Sequence, residues 1–323
     1  MINFQINDPT LDSQWRAIIL FGRNSATYKF AFANSLLGFI EKETTKISLN
    51  ELAIPFSRSI IEHLKESDKQ GNSKSSKFLS ACRQHIAGKI TEEQLLATTE
   101  KFGFVNVVDA FQNVKEIVFT DNFLKLKESF HFENFNKEVE ARWELVETAW
   151  NLNVNPNVLE VQYDQSNSLL FVENNLMKRK DITSTRDALN GYQKGKCFYS
   201  FQDISILSGN PKLCQVDHFL PHANKQAHAE TGVNINGVWN LVLADSQMNL
   251  EKTARIPERR FLERLYNRNE FYIDSKHPLA ETIINQTGKS KDQRQRFLQN
   301  QYTLALSQSI HCWKPSIELK GNF

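Results

Sequence analysis

The spacing of apolar residues over the first 150 positions is helical. SQWRAIILFG is a short apolar run that stops at Gly22. NSATYKFAFANSLLGFIEKE then sets Tyr28, Phe32, Leu36 and Ile40 at i, i+4 intervals, which predicts a helix with Asn24 or Ser25 as its N-cap. A third helix is expected after Pro55, through Ile60, Ile61 and Leu64, and the polar KESDKQGNSKSSK after it is a loop or linker. TEEQLLATTEKFG opens on a capping-box pattern, Thr91 with Gln94, and stops at Gly103. FNKEVEARWELVETAW aligns Val139, Trp143, Val146 and Trp150 on one helical face. In VLEVQYDQSNSLLFVEN the pattern changes to alternation around a polar centre, which predicts a β-hairpin or two short strands.

A basic segment, MKRKDITSTRDALNGYQKGKC, follows. Its centre reads as one helix capped by Ser184 or Thr185 and ending near Gly191. Beyond it come short strands and loops with single His, Asp and Asn residues. KDQRQRFLQNQYTLALSQSI, near the end, is one more amphipathic helix carrying Phe297, Tyr302, Leu304 and Leu306. The class expected is α+β. Residues 1–177 form a mainly helical regulatory or docking domain, 178–272 a second domain, and 273–323 a C-terminal helical extension.

Composition adds compartment and charge. No stretch approaches the ~18 consecutive apolar residues of a membrane span. The opening MINFQINDPTLDSQW lacks a basic-then-apolar signal pattern, so a cytoplasmic protein is expected. Cys82, Cys197, Cys214 and Cys312 are too scattered for a disulfide framework. A net charge of +2 hides an asymmetry: residues 1–177 hold 18 Lys/Arg against 23 Asp/Glu, and residues 178–323 hold 21 against 14. A basic half attracts a phosphate backbone if the chemistry sits there too.

It does sit there. QVDHFLP reads as a strand carrying Asp217 and His218, VWNLVLA as a β-rich run beginning near Asn240, and DSQMNLEKTARIP as a helix with Asn249 and Lys252. An Asp-His pair alone is compatible with a surface turn. With Asn240 and Asn-x-x-Lys following in order, residues 190–260 resemble the HNH endonuclease family, whose ββα motif binds one divalent ion. The branch most similar contains the HNH domain of CRISPR RNA-guided effectors.

The resemblance implies roles that the chemistry supports. Phosphodiester hydrolysis needs an activated water and a Lewis acid. His218 suits the general base. Asp217 and Asn249 would hold one Mg²⁺ or Mn²⁺, since two oxygen ligands suit a hard ion better than zinc. Asn240 would brace the His218 loop, and Lys252 and Arg255 would contact phosphates. Duller roles exist for each: Asn249 as a helix N-cap, Lys252 on a solvated helix face, His222 and His228 as solvated loop histidines rather than ligands, Trp239 as a core residue. Many HNH proteins carry two Cys-x-x-Cys pairs for structural zinc. Here Cys197-Phe-Tyr-Ser200 and Asp245-Ser-Gln-Met248 keep one thiol, so no structural zinc is expected.

The function expected is a metal-dependent endonuclease acting on DNA. The alternatives are a nucleic-acid-binding scaffold subunit that does not cut, and an RNA-cutting nuclease. Lys178, Arg179 and Lys180 before the motif, and Arg255, Arg259, Arg260, Arg264 and Arg268 after it, fit a backbone-tracking groove in part. Free-standing relatives with helical additions often look like effectors of bacterial anti-phage or restriction systems. By that analogy an activating partner, such as an ATPase, would release the nuclease.

Overall fold

The computed structural model describes residues 2–71, 75–105, 107, 116–152, 159–173, 179–308 and 311–323. Helices dominate, strands are short, and the class is α+β. Contacts divide the chain into two compact units: residues 24–153, and residues 1–23 together with 154–323. No helix among the described residues is long and apolar enough to cross a membrane.

Two helices open the chain, α1 (Ile2–Ile6) and α2 (Leu11–Ile19), the second capped by Thr10. The 24–153 unit then runs α3 (Tyr28–Glu41), β1 (Lys46–Ser48), α4 (Leu49–Glu66), α5 (Lys77–Ile86), α6 (Glu92–Phe102), β2 (Glu116–Val118), α7 (Asp121–Leu124) and α8 (Phe132–Asn151). The N-cap position of α3 is Thr27, not Asn24 or Ser25. Its hydroxyl turns away from the helix and donates to Gln70 Oε1 at 2.6 Å.

The helix expected after Pro55 begins six residues earlier. A capping box between Ser48 and Glu51 starts α4, and Pro55 sits inside it. A residue in place of Pro55 would have bonded back to Glu51, so the ring costs α4 one early hydrogen bond without stopping it. β1 and β2 pair antiparallel, Ile47 opposite Ile117, a ribbon too short to leave a period-2 signal. Phe56 anchors an aromatic core, with ring centroids 5.3 Å from Phe78 and 4.9 Å from Phe104.

In the other unit, β3 (Gln162–Asp164) and β4 (Leu169–Glu173) form the expected hairpin, and β5 (Arg179–Ser184) adds a third antiparallel strand. Half of the basic segment is therefore strand. Arg179 is ion-paired with Asp164 and Asp181, and Lys178 lies outside the described residues. α9 (Thr185–Gln193) runs past Gly191 and ends where Lys194 turns left-handed at φ 55°.

The chain continues through β6 (Gln215–His218), α10 (Lys225–Glu230), β7 (Leu241–Ala244), α11 (Ser246–Lys252), β8 (Ile256–Pro257), α12 (Arg259–Asp274), α13 (Ala280–Thr287), α14 (Lys291–Ser307) and β9 (Cys312–Trp313). The amphipathic segment at the end is thus the last of three helices. The first 23 residues belong here because Phe4 and Phe21 pack on Phe271, at 5.1 and 4.8 Å between centroids. Residues 273–323 belong here too: Thr282 bonds both Leu159 O and Val161 N, and Tyr302 donates to Pro257 O.

Candidate functional site

β6 and β7 pair antiparallel, Asp217 opposite Val242 and His218 opposite Leu241. All four residues of β7 are buried, because α9 and α12 bond its backbone: Gln193 exchanges two hydrogen bonds with Leu243, and the Arg268 guanidinium donates to Leu241 O. The Asp245 carboxylate caps the helix that follows by accepting from Gln247 N and Met248 N. Asn249 is therefore interior to α11 rather than its cap.

Gln215 and Asp217 alternate onto one face of β6, and Asn249 and Lys252 are three apart on one face of α11. The two faces meet. Asn249 Nδ2 donates to Gln215 Oε1 at 2.6 Å, and the Lys252 ammonium donates to Asp217 at 3.2 Å (Oδ1) and to His218 O at 2.7 Å. Lys252 is 0 % exposed. It is neither on a solvated helix face nor presented to a phosphate, but serves as the buried counter-ion of Asp217. Tyr199 completes the cradle, donating from its hydroxyl to Asp217 Oδ2 at 2.6 Å. Burial, and then the Asp217 charge, hold the phenol well above its ordinary pKa, so it stays a donor.

His218 is 6 % exposed. Burial pushes its pKa down to about 4, outweighing the upward pull of Asp217, so the imidazole is neutral near pH 7. Its Nε2 lies 2.9 Å from Asn236 Oδ1, and the rings of His222 and Tyr163 approach to 5.4 and 5.9 Å. Asn240 closes the loop. Its Oδ1 accepts from Leu220 N at 2.8 Å, and its Nδ2 donates to Leu220 O and Ile235 O. Arg268, wholly buried on α12, holds this corner from behind by donating to Val238 O and Trp239 O.

Other expected residues land elsewhere. Arg255 donates to the carbonyls of Glu251 and Lys252, closing the end of α11. Of the expected basic groove, Arg268 is internal, Arg264 bonds backbone carbonyls of Phe198 and Tyr199, and Arg260 pairs with Glu258 and Glu318. Arg255 and Arg259 remain exposed. His228 is not a solvated loop residue: it is buried in α10 and bonds Gln301. Trp239 is core, 5.0 Å from Phe297. Cys197 is buried, its sulfur accepting from Asp245 N. Tyr199, Asn236 and Arg268 were not marked by the motif. Each reaches the site from 18 to 30 residues away along the chain, with no local pattern to announce it.

No group of three or more His, Cys, Asp and Glu among the described residues is arranged to hold a metal. An ion here would rest on Asp217 and the amide oxygen of Asn249, completed by solvent and phosphate. That mixed oxygen set fits Mg²⁺ or Mn²⁺, which keep several waters, and does not fit zinc. Compared with known proteins, the chain matches no family model, no curated protein and no solved structure.

Proposed function

We propose that this protein is a divalent-metal-dependent endonuclease of HNH type that hydrolyses phosphodiester bonds in DNA. The observation that carries the reading is the direct stitching of four segments around Asp217 and His218: α11 through Lys252, the 199 turn through Tyr199, and the Asn236 and Asn240 turn through side-chain amides. A buried Asp-His pair built only for packing would not need so many converging polar groups.

In this reading the neutral His218 takes a proton from the attacking water. Asp217 and Asn249 hold one Mg²⁺ or Mn²⁺, which when bound absorbs charge on the phosphate and the leaving oxygen. Asn240 keeps the His218 loop from shifting, and Tyr199 with Lys252 orients the Asp217 carboxylate. The basic balance of residues 178–323 supports a nucleic-acid substrate.

Nicking of supercoiled plasmid with Mg²⁺ or Mn²⁺ tests this. Wild-type protein is expected to cut, and His218→Ala to fall by about 10²-fold or more. Retained cutting in His218→Ala refutes the catalytic assignment. Salt-sensitive binding without cutting selects the scaffold reading, which the internal Lys252–Asp217 pair favours because it satisfies the carboxylate without a metal. Labelled RNA run alongside distinguishes the two nucleic acids.

A further inference from the structure

A neutral imidazole has one donor nitrogen and one basic nitrogen, and the hydrogen bond made by the first decides which is which. For His218 that bond comes from a side chain 18 residues away in sequence. We propose that Asn236 is a positioning residue whose side-chain carbonyl holds His218 as the Nε2–H tautomer and leaves Nδ1 as the basic nitrogen. Its importance for cleavage rests on the nuclease reading above; the tautomer itself does not.

Three observations carry it. Asn236 Oδ1 lies 2.9 Å from His218 Nε2, a full-strength hydrogen-bond distance, and Nδ1 makes no hydrogen bond to a described residue. The turn that presents Asn236 is bonded on both sides. Asn236 N donates to Asn234 Oδ1 at 3.0 Å and Gly237 N to Asn234 O at 3.1 Å, while Asn240 Nδ2 donates to Ile235 O at 2.9 Å. Trp239 Nε1 adds a bond to Asn234 O, and a Cβ at Gly237 would lie 2.5 Å from that indole, so no larger residue fits there.

Finally, Asn240 ties the two partners to one frame. The same side chain that bonds Ile235, next to Asn236, also bonds both backbone polar groups of Leu220, two residues beyond His218. The distance between ring and amide is therefore set by a closed hydrogen-bonded loop rather than by two free side chains.

The choice of amide has a chemical logic. A carboxylate at position 236 would also select the Nε2–H tautomer, but would stabilise the imidazolium and weaken the base; a neutral carbonyl fixes the tautomer alone. The opposite amide orientation would donate to Nε2 and place the proton on Nδ1, which removes the base. The proposal excludes that orientation.

Long-range ¹H–¹⁵N correlation of the full chain, labelled at its eight histidines and without added metal, reads the tautomer directly. His218 is assigned by the loss of its signals in His218→Gln. In wild type the expected pattern is protonated Nε2 and unprotonated Nδ1. Asn236→Ala should give a mixture of tautomers, and Asn236→Asp should retain Nε2–H, which separates loss of the acceptor from loss of the fold. In the plasmid assay Asn236→Ala should lower kcat about tenfold or more with KM little changed. An Nδ1–H wild type, or an Asn236→Ala spectrum unchanged at His218, overturns the proposal. The expected spectra in a protein that cuts no nucleic acid would leave the tautomer assignment standing and overturn the nuclease reading instead.

Discussion

Lys252 is where the charge balance of the site is decided. Its ammonium is fully buried and faces an Asp217 side chain that is 8 % exposed, so neither charge is compensated by water. Removing one partner of such a pair leaves a bare buried charge, at a cost of about 3–5 kcal/mol. Lys252→Met, which keeps the volume, should therefore lower urea stability by about 3 kcal/mol in chelator. Adding Mg²⁺ should recover part of that loss, because a cation held by Asp217 and Asn249 replaces the ammonium. Calorimetry should show tighter Mg²⁺ binding to Lys252→Met than to wild type. Binding that is unchanged would remove Asp217 from the metal site. Tyr199→Phe deletes one hydrogen bond to a charged acceptor and should cost about 1.5–3 kcal/mol by the same unfolding measurement, without affecting the Lys252 contact.

The contact between α4 and α8 is an electrostatic clasp inside the 24–153 unit. His63 on α4 stacks flat on Trp143, 3.5 Å between centroids, with Nδ1 2.9 Å from Glu147 and Nε2 3.0 Å from Glu140. Burial opposes the charged ring, but the two glutamates outweigh it and raise its pKa to about 9. A group with a raised native pKa stabilises the fold fully below its unfolded value, near 6.5, and loses that contribution as pH rises through about 9. Wild-type stability should thus fall by about 2–3 kcal/mol between pH 6.5 and 9.5, measured by urea unfolding. His63→Gln, which does not titrate, should be flat over the same window; a parallel fall in the variant would place the pH dependence elsewhere.

This clasp also marks how far elements were legible. Helices α6 and α8 follow from a capping box and a clean apolar stripe, because both signals are local. The β1–β2 ribbon does not, since three-residue strands pair across almost seventy residues with no alternation to read. The site divides in the same way. Asp217, His218, Asn240 and Asn249 stand in an ordered motif, whereas Tyr199 and Asn236 matter only through contacts that folding creates. The burial of Lys252 was hidden because a lysine three residues after an asparagine looks the same on an exposed face as on an internal one.

On the scale of the whole chain, the division along contacts does not follow the sequence texture. Charge and periodicity change near residue 177, but the first 23 residues pack with the unit that carries Asp217 and His218. The link is aromatic and local. Phe4 is 2 % exposed, stacks on Phe271 of α12, sits 6.3 Å from Tyr192 of α9, and accepts the Lys194 ammonium on its backbone carbonyl at 2.6 Å. These two helices are also the ones that brace β7: α9 through Gln193 and α12 through Arg268. A cavity at position 4 should therefore be felt at the site although Phe4 touches none of its residues. Phe4→Ala is expected to destabilise this unit by about 3–5 kcal/mol, as for other buried Phe truncations. Hydrogen exchange should show the loss in α9, α12 and β7, while amides of the Phe56 core within residues 24–153 keep their protection. Equal loss of protection in both units would mean that residues 1–23 support the chain as a whole and not the site-bearing unit in particular.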